Sequence, residues 1–472
     1  MINSIRQALI VTRREVRDQL RDWRVIFPIL TLTFFFPFLM NFTARQILDF
    51  VSRYGANIIG ERMVPFLLMV VGFFPISVSL VIALESFVGE KERGSIEPLL
   101  NTPLENWQLY LGKLLSSIIP SLISSYFGMA VYLIGLQIKG IPLPDFNTLF
   151  QIVALTSVQA VMMVAGAVVV STQATSVRAA NLLASFIIIP AALLIQGESV
   201  VMFWGNSSTL WWVVFGVFVL SVLLVRVGLA HFHREELLGR EIDALNLQWG
   251  LKHFWTSFKG EAISVINWYT VALRPALRIL SLPAFLVTVI VVVSFFIGYA
   301  QIDRFSISLQ DLSIDDVNTR LIDMLNVWKD VPLLPIVSVW WQNVRVMLLA
   351  LLLGIISLGI LGVAPLIATV GIAGYLLAIL QSSGLPVLTF ALFVLPHGLL
   401  EIPAAILATA SVLRLGALMA TPVTGKTVGE VFIGGLAEWA RIMVGVVIPF
   451  LFVAAAIEIW ITPRIVIWFA YY

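Results

Sequence analysis

Apolar runs of about 20 residues recur along the chain, and that spacing leaves few folds open to it. They fall near residues 27–43, 64–84, 114–137, 148–171, 179–197 and 209–230. After a polar stretch from about 231 to 280 they resume near 281–300, 346–364, 366–384, 387–418 and 440–461. In hydrocarbon every backbone N–H and C=O has to be paired within the chain, so runs of this length imply α-helices that cross a bilayer. Composition agrees. Hydrophobic residues make up 60% of the 472 and charged residues 12%, against roughly 25% charged in soluble proteins. The expected fold is an all-α integral membrane protein of about 11 spans, six before the polar stretch and about five after it.

Several function classes drop out at this level. The net charge of +2 gives no case for a nucleic-acid partner. The chain has no cysteine, which removes disulfides, thiolate catalysis and cysteine metal sites. Residues 1–26 are charged and the apolar run after them lacks a small-residue cleavage site, so the first span is expected to be retained. With the N-terminus placed in the cytoplasm, 20 of the 29 Lys and Arg residues fall on inside segments, as the positive-inside rule requires. Whether 346–384 makes two spans, or one kinked at Pro365, stays open in the sequence.

Ahead of the first span, Ile5, Leu9, Val16, Leu20 and Trp23 recur at helical spacing, with six arginines mostly on the other faces. That pattern predicts an amphipathic helix lying at the membrane surface, rather than a basic N-terminus that only sets orientation. A second polar segment follows the second span and runs from Glu85 through Glu90, Lys91, Glu92, Arg93, Gly94, Ser95 and Glu97 to Leu100. The chain turns at Gly94, Ser95 is placed to cap a short helix, and Leu99 and Leu100 give that helix an apolar side. Such a helix between two spans is shaped to dock in a groove on a soluble partner; the plainer alternative is a solvated charged loop.

This segment resembles the ABC-2 type permeases, the membrane subunits of one class of ATP-binding-cassette exporters. Their loop pattern E-x-x-x-x-E-x-E-x-G-[ST]-x-E-x-L-L, followed by a proline and G-K, is matched by Glu85, Glu90, Glu92, Gly94, Ser95, Glu97, Leu100, Pro103, Gly112 and Lys113. The N-terminal amphipathic helix is similar to the family's elbow helix. Arg178-Ala179-Ala180, Pro190 and the stretch from His231 to Leu238 also fit, so the likeness covers residues 1–240. It implies a six-span bundle in the plasma membrane of a prokaryote, with Glu85, Glu90, Glu92, Gly94, Ser95, Glu97 and Leu100 coupling it to an ATPase. It further implies a homodimeric permease with two ATPase subunits. ATP and magnesium then sit on the partner, and this chain is not itself an enzyme.

Residues Ala420 to Thr427 fit a relaxed phosphate-loop pattern. That motif has mechanical meaning only between a strand and a helix, and here it follows a long apolar helix. A cytoplasmic turn with Lys426 as an anchor is the better reading. Glycines 354, 359, 362, 371 and 374 are spaced for close helix packing.

His397 and Glu401 lie four residues apart on one face of an otherwise apolar span. Ionisable groups in the bilayer are costly and face a bundle interior or a wet cavity. An intrahelical hydrogen bond or polar clamp is the first reading and a transport or proton relay the second. A metal site is short of ligands with only these two. Pro396, His397, Gly398, Glu401, Ile402, Pro403 and Ala404, with Asn343-Val344-Arg345 upstream, resemble the stage II sporulation protein M family over residues 270–472. The expected organisation is thus a permease domain (1–240), a cytoplasmic connector (241–280) and a sporulation-protein-M-like membrane module (281–472). The expected function is export of an unidentified, amphipathic substrate. The alternatives are an envelope-remodelling scaffold, or an ion- or proton-driven transporter using His397, Glu401 and Glu458.

Overall fold

A computed structural model describes residues 2–54, 57–95, 97–98, 101–173, 177, 180–181, 185–204, 207–230, 232, 247–302, 333–384, 386–421 and 426–471. Among the described residues there is no strand, and ten helices are long and apolar enough to cross a membrane. A shorter apolar helix, Pro190–Phe203, overlaps the second half of the expected fifth span, 179–197, and runs past its end. The chain divides into two compact units, Met1–Leu245 and Asn246–Tyr472.

The first unit holds α1 (Ile2–Gln19), α2 (Trp23–Tyr54), α3 (Asn57–Glu92), α4 (Asn106–Ile138), α5 (Phe146–Gln173), α6 (Ser185–Trp204) and α7 (Ser207–Ala230). Helix α3 is its centre, packed against α2, α4, α5 and α6. Leu68, Ile76, Leu80, Leu84 and Phe87 are buried along its length. Asp145 caps α5: its carboxylate accepts from the Thr148 amide (3.1 Å) and hydroxyl (2.6 Å), which hold it below the ordinary aspartate value.

Helix α1 uses one face for the protein and another for its surroundings. Ala8 and Thr12 are buried against α4, and the Thr12 hydroxyl donates to the Gly112 carbonyl at 3.1 Å. A side chain at Gly112 would meet Val11 and the Ala8 carbonyl, so glycine sets how closely α1 approaches. Ile5, Leu9, Leu20 and Trp23 stay exposed, as an apolar stripe resting on a membrane surface would be.

The second unit holds α8 (Leu247–Lys259), α9 (Val265–Trp268), α10 (Arg274–Ile279), α11 (Ser281–Tyr299), α12 (Leu333–Ile356), α13 (Ala364–Ser382), α14 (Val387–Ala420), α15 (Val428–Ile442), α16 (Ile448–Ala456) and α17 (Thr462–Tyr471). Helix α14 is central and touches α11, α12, α13, α15, α16 and α17. Ala404, Ala405 and Ala408 let those neighbours come close to its core-facing side, where Val344, Met347, Ile442 and Leu451 pack. Residues read from the sequence as a connection fold onto this unit. Helix α8 packs on α15, the Trp268 indole donates to the Phe258 carbonyl (2.9 Å), and Arg441 donates to the Ala272 carbonyl (2.9 Å).

The question left open over 346–384 resolves into two helices, but the break is not at Pro365. It falls at Leu358 and Gly359, both in the left-handed region (φ 51° and 94°), where Gly359 passes close to Leu413 of α14. Pro365 instead opens α13, where its missing N–H costs nothing. The span therefore begins at Leu333, earlier than hydropathy placed it. The last apolar helix is also longer than expected. Gly429–Phe469 runs on through two π-turns, Met443–Val447 and Ile457–Ile461.

Candidate functional site

The glutamate-rich end of α3 is held by an ion-pair network. Lys113, near the start of α4 and 1% exposed, sits 3.1 Å from Glu15 on α1 and 3.1 Å from Glu90 on α3. Its ammonium also lies over the Phe87 ring, which packs against Phe232. A buried ammonium needs counter-charge, and here one lysine draws it from two helices. The start of α4 adds a second tie to α1, because Gln108 donates to the Gln7 side chain at 2.9 Å.

The turn after α3 is closed from within. Gly94 (φ 69°) donates to Lys91 O (3.1 Å) and Ser95 to Glu90 O (3.0 Å), the paired bonds of a Schellman motif. The Ser95 hydroxyl bonds the Glu90 carboxylate. Glu92 accepts from the Val177 amide (2.7 Å) and Lys91 donates to Thr172 O (3.2 Å), which ties the turn to the end of α5. Glu85 is half-buried, whereas Glu92, Arg93, Gly94, Glu97 and Pro98 are exposed. Leu100, read as part of the coupling element, lies outside the described residues, as do Leu99 and Arg178.

In the second unit His397 and Glu401 share a face of α14, and Glu458 joins them from the π-turn Ile457–Ile461. One ligand atom from each lies within 4.8 Å of the others. The Thr462 hydroxyl, 4% exposed, stands 3.5 Å from His397 Nδ1. Asn343 is half-buried on α12, beside the core residue Val344. At the relaxed phosphate-loop pattern, residues 422–425 lie outside the described residues. Thr427 there caps α15: its hydroxyl accepts from the Glu430 amide (3.2 Å), and the Glu430 carboxylate accepts from the Thr427 amide (2.8 Å).

A further buried polar pair has no motif in the sequence to announce it. Glu198 on α6, 2% exposed, accepts a hydrogen bond from Gln159 on α5, also 2% exposed. The only signal for it was a carboxylate within an apolar stretch. Gln159 in the opposing span carries no charge to mark it.

Stacked apolar helices of membrane-crossing length, in two units, define a multi-pass integral membrane protein with a transport component. Residues 9–206 match the family model described as ABC-2 family transporter protein, and residues 279–463 match that of stage II sporulation protein M. The chain therefore joins an N-terminal ABC-2 permease segment to a C-terminal sporulation-protein-M segment. A comparison with curated proteins found no match.

Proposed function

We propose that this chain is the membrane subunit of an ATP-binding-cassette exporter in the plasma membrane of a prokaryote, driven by a separate ATPase that docks on the turn after α3. In this reading the N-terminus is cytoplasmic. Two chains assemble with two ATPase subunits, which carry the ATP and magnesium, and the sporulation-protein-M segment serves as an accessory membrane module. The observation that carries it is the division of labour in the glutamate-rich segment. Glu90 is engaged inward by Lys113 and Ser95, while Arg93, Glu97 and Pro98 face outward. A docking turn tied to α1, α4 and the end of α5 passes a push on to the spans instead of absorbing it. Nucleotide then shifts the bundle only as far as the ATPase binds its two states with different affinity.

The geometry moves the useful test away from Glu90, whose reversal would break an internal pair. Tagged wild type purified from its own host membrane is expected to retain a subunit bearing a phosphate loop. Arg93→Glu combined with Glu97→Lys is expected to lose that subunit at an unchanged unfolding midpoint. A wild-type chain that purifies without any ATPase, or a double variant that keeps it, overturns the proposal.

A further inference from the structure

We infer that His397, Glu401 and Glu458 form a binding site for one divalent transition-metal ion within the second unit. With only His397 and Glu401 in view, a metal lacked ligands. Glu458 supplies the third, from a helix 57 residues further along the chain. The three donors lie within 4.8 Å of one another. Metal–ligand bonds of about 2.0–2.2 Å place donor atoms about 3.0–3.6 Å apart, so the side chains close inward by rotation when the ion binds.

Charge points the same way. Two ionised carboxylates side by side in an apolar span repel each other. A neutral imidazole, two carboxylates and a dication sum to zero, the state a bilayer interior tolerates best. A monovalent cation would leave a net negative charge. The imidazole favours zinc, iron, nickel or copper, with cobalt as a spectroscopic stand-in for zinc, over calcium or magnesium, whose preferred ligands are all oxygen. Three protein ligands leave a coordination position open to water or another group.

The backbone is built around the cluster. The π-turn Ile457–Ile461 is closed by the Thr462 amide donating to the Ile457 carbonyl, one residue wider than an α-helical bond. Such turns recur at functional sites because they re-aim a side chain within a helix. The same Thr462 stands beside His397 Nδ1 with its hydroxyl, the kind of outer contact that fixes the ring of a metal-bound histidine. This site is independent of ATPase docking, and neither reading depends on the other.

The test uses the full-length chain in detergent, stripped with a chelator and re-equilibrated with zinc or cobalt. Wild type is expected to bind one ion per chain, with cobalt giving the visible absorption of a nitrogen- and oxygen-coordinated ion. Glu458→Gln and His397→Gln are expected to weaken binding at least about tenfold, and Thr462→Val to weaken it by a smaller factor. Gel filtration and the unfolding midpoint establish that each variant is folded. Should a variant fail to fold, the wild-type stoichiometry and cobalt spectrum still decide. The inference is overturned if wild type binds no ion after chelation, as it would if the carboxylates shared a proton instead. It is equally overturned if folded variants bind with unchanged affinity and spectrum.

Discussion

Lys113 carries its charge with 1% of the side chain exposed, while Glu15 and Glu90 keep 17% and 22%. That asymmetry decides which substitution does more harm. Lys113→Met deletes the buried charge and leaves two carboxylates with access to water. Glu15→Gln together with Glu90→Gln strands an ammonium in the packed interior, at a cost of about 3–5 kcal/mol. The double variant is expected to unfold at the lower temperature in detergent, with Lys113→Met closer to wild type; the opposite order would mean that Lys113 is hydrated. Glu90 and Lys113 were both legible in the sequence as motif positions. Their pairing was not, because it depends on how α3 and α4 lie together across a turn. Glu458 was legible only as a carboxylate inside a span, since no pattern of residue types announces a π-turn.

Helices α11 and α13 meet through glycine. A side chain at Gly374 would overlap the Phe295 carbonyl, and one at Gly298 would overlap the Gly371 carbonyl. These obstacles are backbone, so rotamer changes cannot relieve them. Gly374→Val is therefore expected to cost at least the 1–3 kcal/mol typical of overpacking, read as a lower unfolding midpoint. Gly434→Ala on α15, with open space around it, should change little and serves as the control. The stripe of small residues pointed to close packing from the sequence alone, but not to which glycine meets which helix. A side chain added at Gly371, inside the same stripe, would make only an ordinary contact with the Ser294 carbonyl. Helix limits were read less well than helix existence. Hydropathy placed one span at 346–364, but the left-handed pair Leu358–Gly359 ends α12 at Ile356. Apolar residues on either side of that break give hydropathy no reason to divide them there.

The whole molecule offers a clean test of orientation, because a chain with no cysteine takes single reporters without background. Asn101 and Lys139 are both exposed, and α4 separates them. With a cytoplasmic N-terminus, Lys139→Cys should react with a membrane-impermeant maleimide on intact cells. Asn101→Cys should react only after the membrane is opened, and the reverse pattern would invert the proposed topology. The lock between α1 and α4 also has a consequence for biosynthesis. Thr12 and Gln7 find partners 100 and 101 residues further along the chain. At about 5–20 residues per second, the ribosome delivers those partners on the order of 5–20 seconds after α1 has emerged. Until then α1 has neither Lys113 nor Gly112 to settle against, and its exposed apolar stripe gives it the lipid surface as a place to wait. Helix α1 is thus made before α2 and α3 yet fixed only after both, and the α3 turn gains its ion pair with Lys113 only once α4 has been made.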